Sequence, residues 1–320
     1  MKYVVTGGAG FIGSHLVEHL VTAGDEVTVL DDCSTGKREN VAAWNDRIHF
    51  VEGSVVDLAT CRRAFEGADF VLHQAALASV PRSLNDPVAT HQANVTGTLN
   101  VLIAARDSGV KRVVYAASSS AYGNTTELPK HEGMVPRPLS PYGVSKLAGE
   151  SYLRAFHHSF GLQAIALRYF NVFGPRQDPN SQYAAVVPRF ITAALADQPP
   201  SIFGDGEQTR DFTFVANVVH ANMLACEAPA EACGEAYNVG CGSAVSLNTL
   251  WQRIAELTHS STSARYEPPR AGDVRDSLAS LAQSRRALGY EPLVDLNGGL
   301  RATVEWYEAR ANPSRLGALA

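Results

Sequence analysis

The chain has 320 residues, 45% of them hydrophobic and 18% charged, which suits a packed core and allows two domains. A net charge of −5 and a pI near 6.1 disfavour a nucleic-acid binder, which would usually be basic; a few placed arginines would still suffice for an anionic ligand. No apolar run approaches the ~20 residues of a membrane span, the start MKYVVTGG meets glycines too early for a signal peptide, and five cysteines without a C-x-x-C pair suit a reducing cytoplasm and lead us to expect no metal site.

In chain order, segments 2–5, 26–30, 48–51, 70–73, 112–116 and 162–167 read as strands, and 12–23, 58–65, 88–108 and 141–158 as amphipathic helices. Repeated β–α alternation implies an α/β fold with a parallel sheet covered by helices on both faces. Beyond residue 170 the pattern breaks up. Proline and glycine become frequent around 174–206 and 266–272, with helical runs near 188–197, 246–258 and 297–311. This reads as a smaller, mixed α/β substrate-binding lobe. Segments 211–226 and 236–239 are candidates to return to the main sheet. The expected division is therefore 1–170 plus about 211–240 for one domain, and about 171–210 plus 241–320 for the other.

The first strand runs into VVTGGAGFIGSHL and a helix. Gly7, Gly10 and Gly13 fit G-x-x-G-x-x-G, and Gly8, Gly10 and Gly13 fit G-x-G-x-x-G. Glycines here permit a tight turn, close approach of a pyrophosphate and close helix–strand packing, and the free N–H groups of the helix start face the phosphates. Asp31 ends the second strand 18 residues after Gly13, where a ribose hydroxyl is usually held. With Asp32 it would repel a 2′-phosphate, so NAD is expected rather than NADP. Together these signals make the first domain a Rossmann-type doubly wound sheet. Asp57 has two readings, a contact to the adenine amino group or an N-cap to the helix at Leu58.

A second cluster follows the 112–116 strand, in the run ASSSAYG (117–123). Further on, SPYGVSKLAGE starts a helix with Ser140 as N-cap and Pro141 as first helical residue. Tyr142 and Lys146 then share a face, four residues apart. A phenol ordinarily loses its proton near pH ~10 and must drop roughly three pH units, about 4 kcal/mol, to act as a base near neutrality. One ammonium at ~4 Å, with an effective dielectric near ~20, supplies about that much. The Tyr-x-x-x-Lys spacing alone is common on helix surfaces; behind a dinucleotide loop it reads as a proton-transfer pair.

With these residues assembled, the chain resembles the extended short-chain dehydrogenase/reductase family, and within it the nucleotide-sugar 4-epimerases of the UDP-glucose and UDP-N-acetylglucosamine type. The likeness runs through TGGAGFIGSHL, HQAALASVPRS, SSSAYG, SPYGVSK, RYFNVFGPRQDP, IFGDGEQTRDF and RAGDVRDS. It implies Tyr142 as base, Lys146 as its partner on the nicotinamide ribose and Ser118 as hydroxyl relay. It implies an NAD site along Gly7, Gly10, Phe11, Ile12 and Gly13, then Asp31, Asp32, Ser34, Thr35 and Gly36, then Asp57 and Leu58, with Gln74, Ala75, Ala76, Asn94 and Tyr169 near the reacting end. For a UDP-sugar it implies Ser79, Ser118, Ser119 and Ser120 near the hexose, Asn171 and the arginines Arg210 and Arg270 at the diphosphate, Ala185, Val186, Val187 and Phe203 around uracil, and Asp273 at the uridine ribose. Each arginine also has the ordinary reading of a surface ion pair. A homodimer through the 88–108 and 141–158 helices is the family expectation; otherwise their outer faces are simply solvated.

The implied reaction removes the sugar 4-hydroxyl proton, moves the C4 hydride to enzyme-bound NAD, lets the 4-keto sugar turn over, and reverses both steps on the other face. Eliminating and decarboxylating relatives carry an acidic residue just after the relay hydroxyl. Here those places are Ser119, Ser120 and Ala121, and none can act as a carboxylic acid. Alignment of RAGDVRDS puts Ser277 at the position that limits the C2 substituent, where a small residue leaves room for an N-acetyl group; its ordinary reading is a small loop residue. The expectation is interconversion of UDP-GlcNAc and UDP-GalNAc, with UDP-Glc and UDP-Gal as further substrates. The alternatives are a UDP-glucose or UDP-glucuronate 4-epimerase without N-acetyl activity, and a non-catalytic NAD-sensing module.

Overall fold

The computed structural model describes residues 1–179, 185–269 and 274–311. Six strands from the first half, β1 (Lys2–Thr6), β2 (Glu26–Asp31), β3 (Ile48–Glu52), β4 (Phe70–His73), β5 (Arg112–Ser118) and β6 (Ala164–Tyr169), join a later strand, Ala236–Val239, in one sheet. The order is 236–239, β6, β5, β4, β1, β2, β3, and every pairing is parallel. This is the doubly wound order, in which the chain reverses direction across the sheet between β1 and β4.

Period-two alternation builds both faces. Val5, Val29, Leu72, Val114 and Ile165 point into one buried cluster and their neighbours Val4, Leu30, Val71, Val113 and Ala164 into another. Helix α1 (Phe11–Ala23) covers the first face with Leu16, Val17, Leu20 and Val21. The second face is covered by α2 (Leu58–Ala64), by α5 (Gly97–Asp107) after the short helices α3 (Val80–Asn85) and α4 (Pro87–His91), and by α6 (Pro141–Phe160). The expected single helix over 88–108 contains a π turn at Gln92–Thr96. Such wide turns shift the following helix face and concentrate at functional places, and this one carries the buried Asn94.

Past residue 170 a third cluster forms around Phe173, Phe190, Ile202, Phe212, Trp251 and Val304. It gathers α7 (Val186–Leu195), α9 (Leu247–Thr258) and α11 (Leu296–Ala311), separated in chain order by α8 (Val215–Glu227) and α10 (Ala282–Leu288). Two-stranded ladders edge this lobe: 172–173 with 213–214, 209–211 with 244–246, and 201–203 with 265–267. Segment 211–226, read from sequence as a possible return to the sheet, is mostly the helix α8, which packs beside β5 and β6. Segment 236–239 pairs with β6 at the sheet edge.

Candidate active site

A groove of about 770 Å³ opens over the carboxyl ends of β1, β2 and β4, within the range of small-molecule sites. The turn after β1 makes one wall. Gly7 sits at φ +68°, and a Cβ there would lie 2.7 Å from the Ala75 backbone; a Cβ on Gly13 would lie 2.1 Å from the Gly7 carbonyl oxygen. Side chains are therefore excluded at both places, and the chain passes close to whatever fills the groove. Gly10 precedes α1 without a side-chain cap, so the helix start presents free N–H groups to an anion.

Asp31 is buried at the end of β2, accepting from Ala9 N at 2.9 Å and Cys33 N at 2.8 Å. It ties the glycine turn to the loop carrying Ser34, Thr35 and Gly36. Burial raises its carboxyl above the usual range, and the Cys33 and Ala9 amides oppose that rise. Asp32 is exposed and accepts from Ser34 N and Oγ. Asp31, Asp32, Cys33, Ser34, Thr35 and Gly36 all line the groove. Asp57 does not. It caps α2, accepting from Ala59 N at 3.0 Å and Thr60 Oγ1 at 2.5 Å, so the N-cap reading describes its geometry; Leu58 packs beside the core of the second face. Ser54 and Val55, just before it, line the groove instead.

At the other end Ser140 caps α6, accepting from Gly143 N at 3.1 Å, with Pro141 in the first turn. This brings Tyr142 and Lys146 into the groove beside Ala116 and Ala117. Lys146 is 3% exposed and its Nζ donates to the Ala116 carbonyl at 2.7 Å. Burial pushes the ammonium down to about 7, and the Glu150 carboxylate acts the other way. Ser118, 8% exposed, ends β5 and starts a 3₁₀ turn over Ser119–Tyr122. Its hydroxyl meets both Ser120 Oγ at 3.1 Å and the Tyr142 phenol. The expected lowering of Tyr142 is not what the structure gives: burial raises the phenol, and the Ser118 hydrogen bond only opposes that rise. The spacing argument counted the cation and omitted desolvation, a property of the assembled fold.

Around this centre Tyr169 accepts from Asn222 Nδ2 at 2.8 Å and from Gln74 Nε2 at 3.2 Å. Asn94 accepts from Leu77 N at 2.8 Å and donates to Ser145 Oγ at 2.9 Å, bracing the 74–79 segment against α6. Gln74, Ala75, Ala76, Ser79 and Tyr169 line the groove; Ser79 also caps α3. Phe11 and Ile12 line it from α1. Asn171 adopts φ +21° between β6 and the 172–173 strand. Ala185 reaches the groove at the start of α7. Val186 is only partly buried, but Val187 is 1% exposed and packs into the third cluster, which leaves its backbone for any ligand. The Phe203 carbonyl is taken by Gln208 Nε2. Arg210 lies on the 209–211 strand, with Nη1 donating to the Thr209 and Arg275 carbonyls. Ser277, 9% exposed, donates its N–H to Thr209 O at 3.2 Å, so it sits alongside Arg210. Arg270 and Asp273 lie outside the described residues.

Sequence reasoning missed several groove residues, among them Arg82, Lys37, Gln177 and Asp178. Arg82, on α3, was visible only as one residue of SVPRS. Lys37 and Asp178 form an ion pair at 3.2 Å across the groove mouth, next to Gln177. Their separation in the chain left no local signal.

The glycine turn without room for Cβ atoms, the uncapped helix start and the acid at the β2 end are the donor set of an NAD site; Gly7, Gly13 and Asp31 would hold the dinucleotide, and Tyr142 and Lys146 line the same groove. Comparisons with known proteins agree. Residues 3–240 match the model of the NAD dependent epimerase/dehydratase family. The chain is 40% identical to a UDP-glucose 4-epimerase of Mycolicibacterium smegmatis over 97% of its own length and 100% of the relative's. Among solved structures it is similar to a UDP-glucose 4-epimerase from Thermotoga maritima crystallised with UDP-glucose, with TM-score 0.93, 39% identity and coverage of 97% of this chain and 100% of that one. It is equally similar to a UDP-N-acetylglucosamine 4-epimerase from Methanobrevibacter ruminantium M1 in complex with UDP-N-acetylmuramic acid, with TM-score 0.92, 39% identity and coverage of 97% and 98%.

Proposed function

From the premise that this chain belongs to the NAD dependent epimerase/dehydratase family, we propose that it is a UDP-sugar 4-epimerase whose preferred pair is UDP-GlcNAc and UDP-GalNAc, with UDP-Glc and UDP-Gal as further substrates. The observation that carries the reading is that Tyr142 and Lys146 line an NAD groove while Ser118, in a turn without a carboxylate, is hydrogen-bonded to the Tyr142 phenol.

NAD supplies the hydride acceptor and donor. The protein does the rest. Tyr142 takes the proton of the sugar 4-hydroxyl and gives it back on return, Ser118 relays that proton, and Lys146 would hold the nicotinamide ribose and offset the phenolate charge. Ser119, Ser120 and Ala121 offer no acid for elimination, so the ketone has only the return to an alcohol open to it. Arg210 would hold the diphosphate, a role the sequence also gives Arg270. Binding energy placed on the UDP end leaves the hexose free to turn. The small Ser277 beside Arg210 supports the acetylated pair. The test is kcat/KM for UDP-GlcNAc, UDP-Glc and UDP-GlcA, without added NAD; absence of turnover on UDP-GlcNAc rejects the acetylated assignment, and absence on all three rejects the epimerase.

We further place two copies together through α3, α4 and α6, where Leu84, Val88 and Val144 expose 61%, 64% and 53% of their surface. Apolar side chains gathered on neighbouring helices favour a second copy over solvent; a monomer by light scattering removes this reading. No helix among the described residues is long and apolar enough to cross a membrane, and the five cysteines are free thiols, which supports a cytoplasmic location.

A further inference from the structure

The Lys146 ammonium is buried, and the acid nearest to it along its own helix is Glu150, one turn further on. Glu150 does not line the groove. Its carboxylate is 8% exposed on the side chain and is gripped in parallel by Arg168 of β6, Nε to Oε1 at 3.0 Å and Nη2 to Oε2 at 2.8 Å. Arg168 in turn lies over the Tyr122 ring, 4.7 Å from its centroid, and the Tyr122 hydroxyl donates to Asn238 at 2.6 Å. A buried ion pair of this kind adds little to stability by itself, so its place behind the reaction centre calls for another account.

We infer that Glu150 is a positioning residue for Lys146: locked in place by Arg168, its carboxylate keeps the Lys146 side chain in the ammonium form that donates to the nicotinamide ribose. The surroundings single it out. Tyr142 and Glu150 stand one turn before and after Lys146 on α6, the Tyr115 ring of β5 and His73 of β4 lie near it, Arg168 of β6 holds Glu150, Ser118 of β5 bonds Tyr142, and Tyr169 and Arg82 line the same groove. The His91 side chain of α4 is exposed. His73 is buried between Thr6 Oγ1 at 2.7 Å and Thr98 Oγ1 at 3.0 Å and stays neutral, since burial lowers it to about 3. Lys146 lies 4.9 Å from the Tyr115 ring centroid, a weaker support than a charge. Among these groups Glu150 is the carboxylate that opposes the effect of burial on Lys146.

The inference rests on the epimerase reading for turnover and on NAD use for its second readout. Two pH profiles test it on the holoprotein: kcat/KM with a UDP-sugar, and the fraction of bound NAD retained through gel filtration. In Glu150→Gln the alkaline limb of both should move down by about one pH unit, because the cation loses its counter-charge next to a remaining Arg168. In Arg168→Met it should move up, because the carboxylate is no longer neutralised. If removal of one partner prevents folding, the double variant Glu150→Gln/Arg168→Met removes both charges, and its limb should lie below wild type. Limbs that coincide with wild type, or single variants that move in the same direction, overturn the inference and leave the pair a structural brace. A wild-type protein that turns over no UDP-sugar defeats the functional reading instead, and the NAD-retention arm still decides this one.

Discussion

The Lys146 ammonium donates to the Ala116 carbonyl at 2.7 Å, two residues before Ser118 on the same strand. One hydrogen bond thus fixes the helix that carries Tyr142 against the strand that ends in Ser118. Lys146→Met keeps the length of the stem and removes the charge. It should lower kcat by about 100-fold or more and weaken NAD retention together. Loss of kcat with full NAD retention would confine Lys146 to the proton-transfer step.

Tyr142→Phe deletes one oxygen and retains the ring. It should lower kcat by roughly 10²- to 10⁴-fold, the contribution of positioned acid–base groups, with unchanged NAD content. Ser118→Ala removes a hydrogen bond to a group that becomes charged. That is worth about 1.5–3 kcal/mol, or roughly 10- to 150-fold in kcat. Steady-state kinetics on the holoprotein check both.

Gly13→Ala puts a methyl 2.1 Å from the Gly7 carbonyl oxygen. The start of α1 must move away from the glycine turn, at a cost of about 1–3 kcal/mol. The purified variant should carry much less NAD than wild type, measured by absorbance of the released nucleotide, while its circular dichroism stays native.

Much of the site was legible because its signals are local. Ser140 and Pro141 announce the α6 start by capping chemistry, the glycines announce their turn by the room they leave, and alternation such as Val4–Val5 or Val113–Val114 announces a sheet buried on both faces. What was not legible depends on juxtaposition. The spacing of Tyr142 and Lys146 is local, but burial of the phenol, which reverses the expected direction, comes from the packed groove. Arg82, Lys37 and Asp178 reach the groove from separate segments. The π turn at Gln92–Thr96 interrupts a pattern that reads as one continuous helix.

One buried histidine, His73, and one partly buried, His15, give the fold an acid-sensitive stability. Burial lowers His15 to about 4, helped by the Arg176 cation, whose Nη2 donates to His15 Nδ1 at 2.6 Å; burial lowers His73 to about 3. Both are below the unfolded value near ~6.5, so the unfolded chain binds more protons in this window and stability falls as pH falls. The contribution is complete above about pH 6.5 and is lost down to about pH 4 for His15 and about pH 3 for His73, with a slope of up to about 1.4 kcal/mol per pH unit for each group. Urea unfolding across this range should show the decline, and His15→Gln should make it shallower.

The central claim is that one carbon gives up its hydride and receives the same hydride back. The direct measurement uses UDP-GlcNAc bearing deuterium at C4, purified protein and no added NAD, with the product read by NMR and mass spectrometry. The account predicts UDP-GalNAc that retains the deuterium at C4. Epimer that has exchanged the label for solvent hydrogen, or no epimer at all, would contradict it.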